Sequence, residues 1–242
     1  MKNLLIDIGN SSLKASFAEG IKLEDFHRKE GKEGYLEFII QLLNDKPASI
    51  IVVSSVRDVG ETFFEELEKK CDKLIVVSGT TRLPIANEYK TPETLGPDRL
   101  VAAYATTKIF PGKNCMIFDF GTAVTIDFVT ADGKFSGGNI SPGLKSRFRA
   151  LSDYTQRLPL VVAVENIPSK GRETEEGIRA GVILGLIFEI EGYIRAYPDY
   201  TTIFTGGDAN YFAEKIKYPI FAIRNLVLTG LAHIANNYVE GN

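Results

Sequence analysis

The sequence is poor in histidine and cysteine and has no large excess of either charge. It contains only two histidines, His27 and His233, and two cysteines, Cys71 and Cys115. The lack of a Cys/His cluster argues against a zinc site, and in a cytosolic α/β protein we expect both thiols to stay reduced. The net charge is −3 and no dense Lys/Arg stretch occurs, so we expect no nucleic-acid partner.

Long apolar runs are also missing. The longest, Ala180 to Ile190, contains Glu189 and has charged flanks, so it is too short and too polar to span a bilayer. The first apolar run is interrupted by Asp7 and Asn10, which is unlike a signal peptide. The remaining composition, 44% hydrophobic and 24% charged, is typical of a globular protein. We therefore expect a cytoplasmic protein without membrane association.

Short β-rich runs alternate with helical patterns, which favours an α/β fold. Two Asp-x-Gly turns, at Asp7 and Asp119, each follow a strand and lie 112 residues apart. This spacing predicts two related halves, residues 1–113 and 114–242, although at that offset Lys14 aligns with Ile126 and the two return strands are out of phase. Residues 137–143 are predicted to form a turn-rich loop, and residues 174–196 a long helix.

The run Asp7-Ile8-Gly9-Asn10-Ser11-Ser12-Leu13-Lys14 is the first candidate site. A glycine after a strand leaves backbone N–H groups free to face phosphate oxygens. The Asn and Ser side chains and Lys14 add donors, and Asp7 is suited to hold Mg²⁺ through water. A plain β-hairpin turn is the structural alternative, since Asn, Gly and Ser are common turn residues.

Asp119, Gly121 and Thr122 repeat this pattern in the second half. Two such turns facing each other would hold the phosphates of a nucleoside triphosphate from both sides. The turn Thr205-Gly206-Gly207-Asp208 follows a strand and presents bare backbone against which a purine can lie; an ordinary strand-to-helix turn is the alternative.

Gly96-Pro97-Asp98-Arg99 stands at a predicted helix start. A first-turn aspartate is favoured by the helix dipole, so a capping acid beside a surface arginine is one interpretation. The functional interpretation is a carboxylate that accepts a proton from an alcohol, next to a guanidinium that binds a carboxylate. Gly177, Gly181 and Gly185 form a stripe on the long helix, which predicts close approach of another helix, in the same or a partner subunit.

In order along the chain, these motifs resemble those of type III pantothenate kinases. The resemblance is carried by residues 7–14, Gly96 to Arg99, Asp119 to Ala123, the Gly-Gly-x-Ile-x-Pro-Gly run at 137–143, Thr174 with Gly181, and Thr205 to Gly207. It implies two domains of the ASKHA type (actin/hexokinase-like, ribonuclease H-like) around a nucleotide cleft.

The resemblance also implies an activity: phosphorylation of pantothenate by ATP, the first step of coenzyme A synthesis, by a cytoplasmic homodimer that needs Mg²⁺ and K⁺ or NH₄⁺. By position, Asp7 to Lys14 and Thr122 would bind ATP, and Asp98 would be the proton acceptor. Tyr89, Gly96, Pro97, Asp98, Arg99 and Thr174 would contact pantothenate, and Asp119 would hold the monovalent cation. The alternatives are another small ASKHA kinase and a non-catalytic accessory transcription regulator related to the family.

Overall fold

The structure, a computed structural model, describes residues 2–241 of the chain. The strands are β1 Asn3–Ile8, β2 Ser12–Glu19, β3 Lys22–Glu30, β4 Ile50–Ser55, β5 Lys73–Val77, β6 Ala86–Asn87, β7 Cys115–Phe120, β8 Ala123–Val129, β9 Lys134–Pro142, β10 Thr201–Gly206 and β11 Phe221–Ala222. The helices are α1 Tyr35–Asp45, α2 Glu61–Glu68, α3 Pro97–Ile109, α4 Leu144–Tyr154, α5 Thr174–Ala196, α6 Ala209–Ala213 and α7 Leu226–Glu240, with a 3₁₀ turn at Pro92–Thr94.

The chain forms two compact units. Unit 1 comprises residues 1–112, 129–136 and 225–242, and unit 2 comprises residues 113–128 and 137–224. The division at 112/113 lies beside the predicted division at 113/114, but residues 129–136 and 225–242 belong with the first unit. The second of these segments contains α7, which packs on α3 so closely that Gly230 lies against the backbone of Val101.

Unit 1 contains a five-stranded sheet in the order β3-β2-β1-β4-β5. The central strand β1 is buried along its whole length, and it pairs antiparallel with β2 and parallel with β4. The edge strand β3 is rich in charged side chains and largely accessible, which protects a sheet edge from pairing with another chain. The short strand β6 pairs in parallel with Lys134 and Phe135 of β9.

Unit 2 contains strands in the order β11-β10-β7-β8-β9. Here β7 pairs in parallel with β10, and β10 in parallel with β11. When the strands β1–β5 of unit 1 and β7–β11 of unit 2 are each numbered along the chain, both sheets have the order third, second, first, fourth and fifth. The predicted relation between the two halves corresponds to this shared topology.

The two return strands are in phase, contrary to the alignment made on Asp7 and Asp119. The strand β2 begins at Ser12 and β8 at Ala123, an offset of 111 rather than 112, because the second turn is one residue shorter. At this offset the core residues Leu13 and Ala15 correspond to Val124 and Ile126, which also lie in the core. Lys14 then corresponds to Thr125 and not to Ile126.

Each sheet packs its apolar face on helices. In unit 1 the core includes Leu4, Ile6 and Ile8 of β1 and the apolar stripe of α1, whose buried residues recur at helical spacing. In unit 2, Phe118 and Phe120 pack on Ile183, Leu186 and neighbouring residues of α5. The prediction of a long helix over 174–196 is confirmed, with the same bounds.

The prediction of a turn-rich loop at 137–143 is wrong. Residues 137–142 are the second half of β9, a strand that begins at Lys134. Glycines weaken a strand in isolation because they have no side chain to pack. Here β9 lies beside β8 in the sheet, and this long-range pairing outweighs the local composition.

Candidate functional site

The first candidate turn, residues 9–11, joins β1 to β2 in unit 1. The Gly9 N–H donates to the Ser12 carbonyl at 3.0 Å, and the Ser11 carbonyl accepts the N–H of Gly31 at 3.1 Å. Asn10 and Ser11 are exposed, while Ile8, Ser12 and Leu13 are buried in the flanking strands. Asn10 and Ser11 thus lie at the surface of the turn, and the other three residues form its framework.

Asp7 and Lys14 form the charged part of this turn. They are cross-strand neighbours, and the Lys14 Nζ lies 3.7 Å from Asp7 Oδ2. Asp7 is only 7% exposed, and Lys14 is half-buried. The lysine partly offsets the carboxylate charge, so that an anionic ligand is less strongly repelled.

Asp7 has a second neighbour on its other side, Ser54 of β4. Ser54 is fully buried, and its hydroxyl has no hydrogen-bond partner among the described residues. A buried hydroxyl without a partner costs free energy. Its position beside Asp7 therefore marks this end of β1 and β4 as a polar location, and no sequence pattern had singled it out.

The second turn joins β7 to β8 in unit 2. The Gly121 N–H donates to the Ala123 carbonyl at 3.0 Å. Gly121 and Thr122 are exposed, and the Thr122 carbonyl accepts hydrogen bonds from the Gly143 N–H at 3.0 Å and from Ser146 Oγ at 2.6 Å. The backbone of Thr122 is therefore held in place while its side chain remains accessible.

Asp119 lies next to the Thr205-Gly206-Gly207 turn. Thr205 is its neighbour in the parallel pairing of β7 with β10. Gly206 has φ +93°, and a Cβ added there would lie 2.4 Å from Asp119 Oδ1 and 2.5 Å from the Phe120 nitrogen. Only glycine fits this close approach of backbone to carboxylate. Two motifs that are 86 residues apart in the sequence thus meet at the ends of adjacent strands.

Asp98 folds back over the start of α3 in unit 1. Its Oδ1 accepts the N–H of Arg99 at 2.9 Å, and a Cβ on Gly96 would lie only 2.5 Å from the same oxygen. Pro97 is the first residue of the helix, where its missing N–H costs nothing. The carboxylate is partly exposed. This geometry matches that of a first-turn acid and also leaves the group accessible to a substrate hydroxyl.

Arg99 is buried, being 6% exposed, and packs against two aromatic rings. Its Cζ lies 5.6 Å from the centre of the Tyr89 ring and 5.9 Å from that of Phe135, and the two rings are themselves stacked 6.2 Å apart. A guanidinium held this way has few accessible rotamers, because cation–π contacts orient it. Tyr89 and Arg99, both predicted from the sequence to contact the substrate, thus lie against each other. Phe135 was not predicted, since one aromatic residue in a strand gives no sequence signal.

Thr174 is the exposed first residue of α5 in unit 2. None of the contacts described above joins it to another candidate residue. Within residues 2–241, no group of three or more His, Cys, Asp or Glu side chains is arranged to hold a metal ion. No helix in the described part of the chain is both long and apolar enough to cross a membrane.

Comparison with solved structures identifies the fold. An activator of 2-hydroxyisocaproyl-CoA dehydratase from Clostridium difficile, solved with bound ADPNP, superposes with a TM-score of 0.61 at 13% identity, covering 100% of this chain and 96% of that chain. A Campylobacter jejuni protein described as a Baf family transcriptional activator gives a TM-score of 0.61 at 22% identity, covering 99% of both chains. At these identities the likeness shows the fold alone, and it confirms the predicted actin/hexokinase-like class.

Comparison of sequences identifies the family. The family model for type III pantothenate kinase matches residues 3–196. A type III pantothenate kinase of Phocaeicola vulgatus is 44% identical over 237 residues, which cover 96% of this chain and 97% of that protein. The range matched by the family model contains both candidate turns and the Asp98–Arg99 helix start. This chain belongs to the type III pantothenate kinase family.

Proposed function

We propose that this protein transfers the γ-phosphoryl group of ATP to the primary alcohol of pantothenate, the first step of coenzyme A synthesis. The observation that carries the proposal is the start of α3, where the partly exposed carboxylate of Asp98 accepts the backbone N–H of Arg99 and the Arg99 guanidinium packs on the Tyr89 ring. Pantothenate has an alcohol and a carboxylate, the two groups that this pair is suited to hold. The presence of Asp98 disfavours a non-catalytic regulator.

In this proposal ATP is bound by residues of the two turns. The contacts come from Asp7, Ile8, Gly9, Asn10, Ser11, Ser12, Leu13, Lys14 and Thr122. Asp7 suits Mg²⁺, because this ion commonly takes one or two carboxylates and completes its shell with water and substrate phosphates. Bound Mg²⁺ would neutralise charge on the phosphate oxygens.

Pantothenate binds along the start of α3, with contacts from Tyr89, Gly96, Pro97, Asp98, Arg99 and Thr174. Arg99 holds the carboxylate, and its packing against Tyr89 and Phe135 orients the guanidinium before substrate arrives. Asp98 accepts a hydrogen bond from the alcohol. Phosphoryl transfer has a loose transition state, so the reaction depends mainly on position and on charge neutralisation. Asp98 therefore aligns the hydroxyl and takes its proton late, while Lys14 stabilises the phosphate oxygens.

We infer that Asp119 holds a monovalent cation, K⁺ or NH₄⁺. The support is its place at the end of β7, where the carboxylate lies directly against the backbone of Gly206. A carboxylate beside backbone carbonyls is a set of hard oxygen ligands. A cation there would offset negative charge near the nucleotide.

We infer also that the protein is a cytoplasmic homodimer. In α5, a Cβ added to Gly177, Gly181 or Gly185 would meet nothing within 4 Å among the described residues, and Phe188 on the same helix is 60% exposed. Each glycine weakens a helix by roughly 1 kcal/mol relative to alanine. The helix surface at Gly181 and Gly185, together with the exposed Phe188, is therefore explained by contact with a second copy of the chain.

The function is tested by coupled measurement of ADP release with pantothenate, compared with a panel of sugars and carboxylic acids. Mass spectrometry of the product identifies the phosphorylated compound. We expect turnover with pantothenate alone. ADP release with a sugar and none with pantothenate would overturn the proposal in favour of another small kinase of this fold.

A further inference from the structure

The end of β9 closes on the second turn at Gly143. The proposed function gives the Gly137–Gly143 run no role, yet its last residue donates its N–H to the Thr122 carbonyl. A Cβ at Gly143 would lie 2.1 Å from the Gly121 carbonyl oxygen and 2.7 Å from that of Thr122. Both contacts are with backbone, which cannot move aside as a side chain can. Only glycine therefore permits this approach.

A network of three side chains holds the backbone just before Gly143. Arg147 of α4 donates from Nε to the Pro142 carbonyl at 2.7 Å and from Nη2 to Ser141 Oγ at 3.1 Å. The same guanidinium forms an ion pair with Glu189 of α5, and Ser141 Oγ donates to Glu189 Oε1 at 2.7 Å. The side chains of Arg147 and Glu189 are only 21% and 24% exposed, so solvent screens this network less than a surface pair.

The first turn is held more loosely. The Ser11 carbonyl accepts the N–H of Gly31, which follows β3 as Gly143 follows β9. A Cβ on Gly31 would meet nothing within 4 Å in the described part of the chain, in contrast to the two backbone oxygens that face Gly143. The tight packing is thus a feature of the Thr122 turn and not of strand connections in this fold.

We propose that Ser141, Arg147 and Glu189 are positioning residues for the nucleotide. They fix Pro142 and Gly143 against the Thr122 turn, so that the accessible Thr122 side chain keeps one orientation. Residues that contact a ligand need such support, because a loosely held group loses part of its binding energy to ordering. The inference rests on the proposed placement of Thr122 in the ATP site.

The test is direct binding of a non-hydrolysable ATP analogue, measured by calorimetry, together with KM for each substrate. Ser141→Ala removes the hydroxyl that bridges Arg147 and Glu189. Arg147→Lys keeps the positive charge but loses the two guanidinium N–H donors that reach Pro142 and Ser141. We expect each to weaken analogue binding and raise KM for ATP by about ten- to a hundred-fold, the worth of one hydrogen bond to a charged group. KM for pantothenate should stay within about two-fold. Glu165→Gln is the control, since it breaks the 3.0 Å ion pair with Lys215 in the same unit and should leave both values unchanged.

Thermal melts separate positioning from stability. Variants that melt earlier but bind the analogue as the wild type does would overturn the inference. So would an equal rise in KM for both substrates. A wild-type chain that binds the analogue without phosphorylating pantothenate would overturn the proposed substrate, and the binding data would still decide the role of the network. A wild type that binds no nucleotide would overturn both.

Discussion

Gly230 of α7 provides a quantitative test of the packing behind the proposed substrate site. An added Cβ would lie 2.5 Å from the Val101 carbonyl oxygen and 2.6 Å from Val101 Cγ1. Carbon atoms pack best at about 3.5 Å or more, so Gly230→Ala requires α7 and α3 to separate by roughly 1 Å. Overpacking of this kind costs about 1–3 kcal/mol.

The helix itself gains about 1 kcal/mol when glycine becomes alanine. The net expectation for Gly230→Ala is a loss of up to about 2 kcal/mol, which for a chain of this size lowers Tm by up to roughly 8 °C. Since α3 begins with Pro97 and Asp98, one turn before Val101, its displacement should also lower kcat, by as much as about 10²-fold for a 1 Å error.

Calorimetry and steady-state kinetics measure both effects. The control is Gly192→Ala in α5, where the new Cβ meets nothing within 4 Å among the described residues. It should raise Tm by about 2–4 °C and leave kcat unchanged. A Gly230→Ala protein that melts at or above the wild-type temperature and retains full activity would refute the packing argument.

Three further predictions concern the cation, the dimer and pH. Activity should rise on addition of K⁺ or NH₄⁺ at constant ionic strength, and Asp119→Ala should abolish this response; equal rates in sodium alone would count against the site. Sedimentation should give about twice the 26.7 kDa chain mass, and Gly181→Leu should shift the protein towards the monomer, whereas a fully active wild-type monomer would contradict the dimer. Burial, with a smaller contribution from Lys108, lowers the pKa of His233 below 6.5. The unfolded state therefore binds more protons, so stability contributed by neutral His233 is present above about pH 6.5 and is lost as the pH falls towards the folded-state pKa. Denaturant midpoints at about pH 7.5 and about pH 5.5 should differ more for the wild type than for His233→Gln, and equal differences would exclude this role.

The sequence pattern was sufficient to predict those helices and strands that bury one clear apolar face or begin with residues typical of a helix start. The helix α3 was predictable because Pro97 and Asp98 are typical of a first turn, and α5 because apolar residues recur over its full length. The strand pairs at Asp7 and Asp119 were predictable because a buried run leads into a turn sequence in both halves.

Features that depend on distant contacts were not predictable. The run at 137–143 has the composition of a loop, and it becomes a strand through pairing with β8. The turn between β7 and β8 is one residue shorter than the turn between β1 and β2. The spacing of Asp7 and Asp119 does not reveal this difference, whereas the buried positions of β2 and β8 do. The approach of Gly143 to Thr122 joins residues that are far apart in the sequence and have no shared pattern.

The proposed role of Asp98, to take the proton of the pantothenate alcohol, is tested by the kcat of Asp98→Asn. Asparagine keeps the size of the side chain and an oxygen that can accept the Arg99 N–H, so the helix start should remain intact in a thermal melt. We expect a fall in kcat of about 10²–10⁴-fold with little change in KM for pantothenate. Arg99→Ala, by contrast, should mainly raise KM, and less so with a pantothenamide that lacks the carboxylate. A folded Asp98→Asn enzyme with near-normal kcat would contradict the account and leave Asp98 as a capping residue of α3.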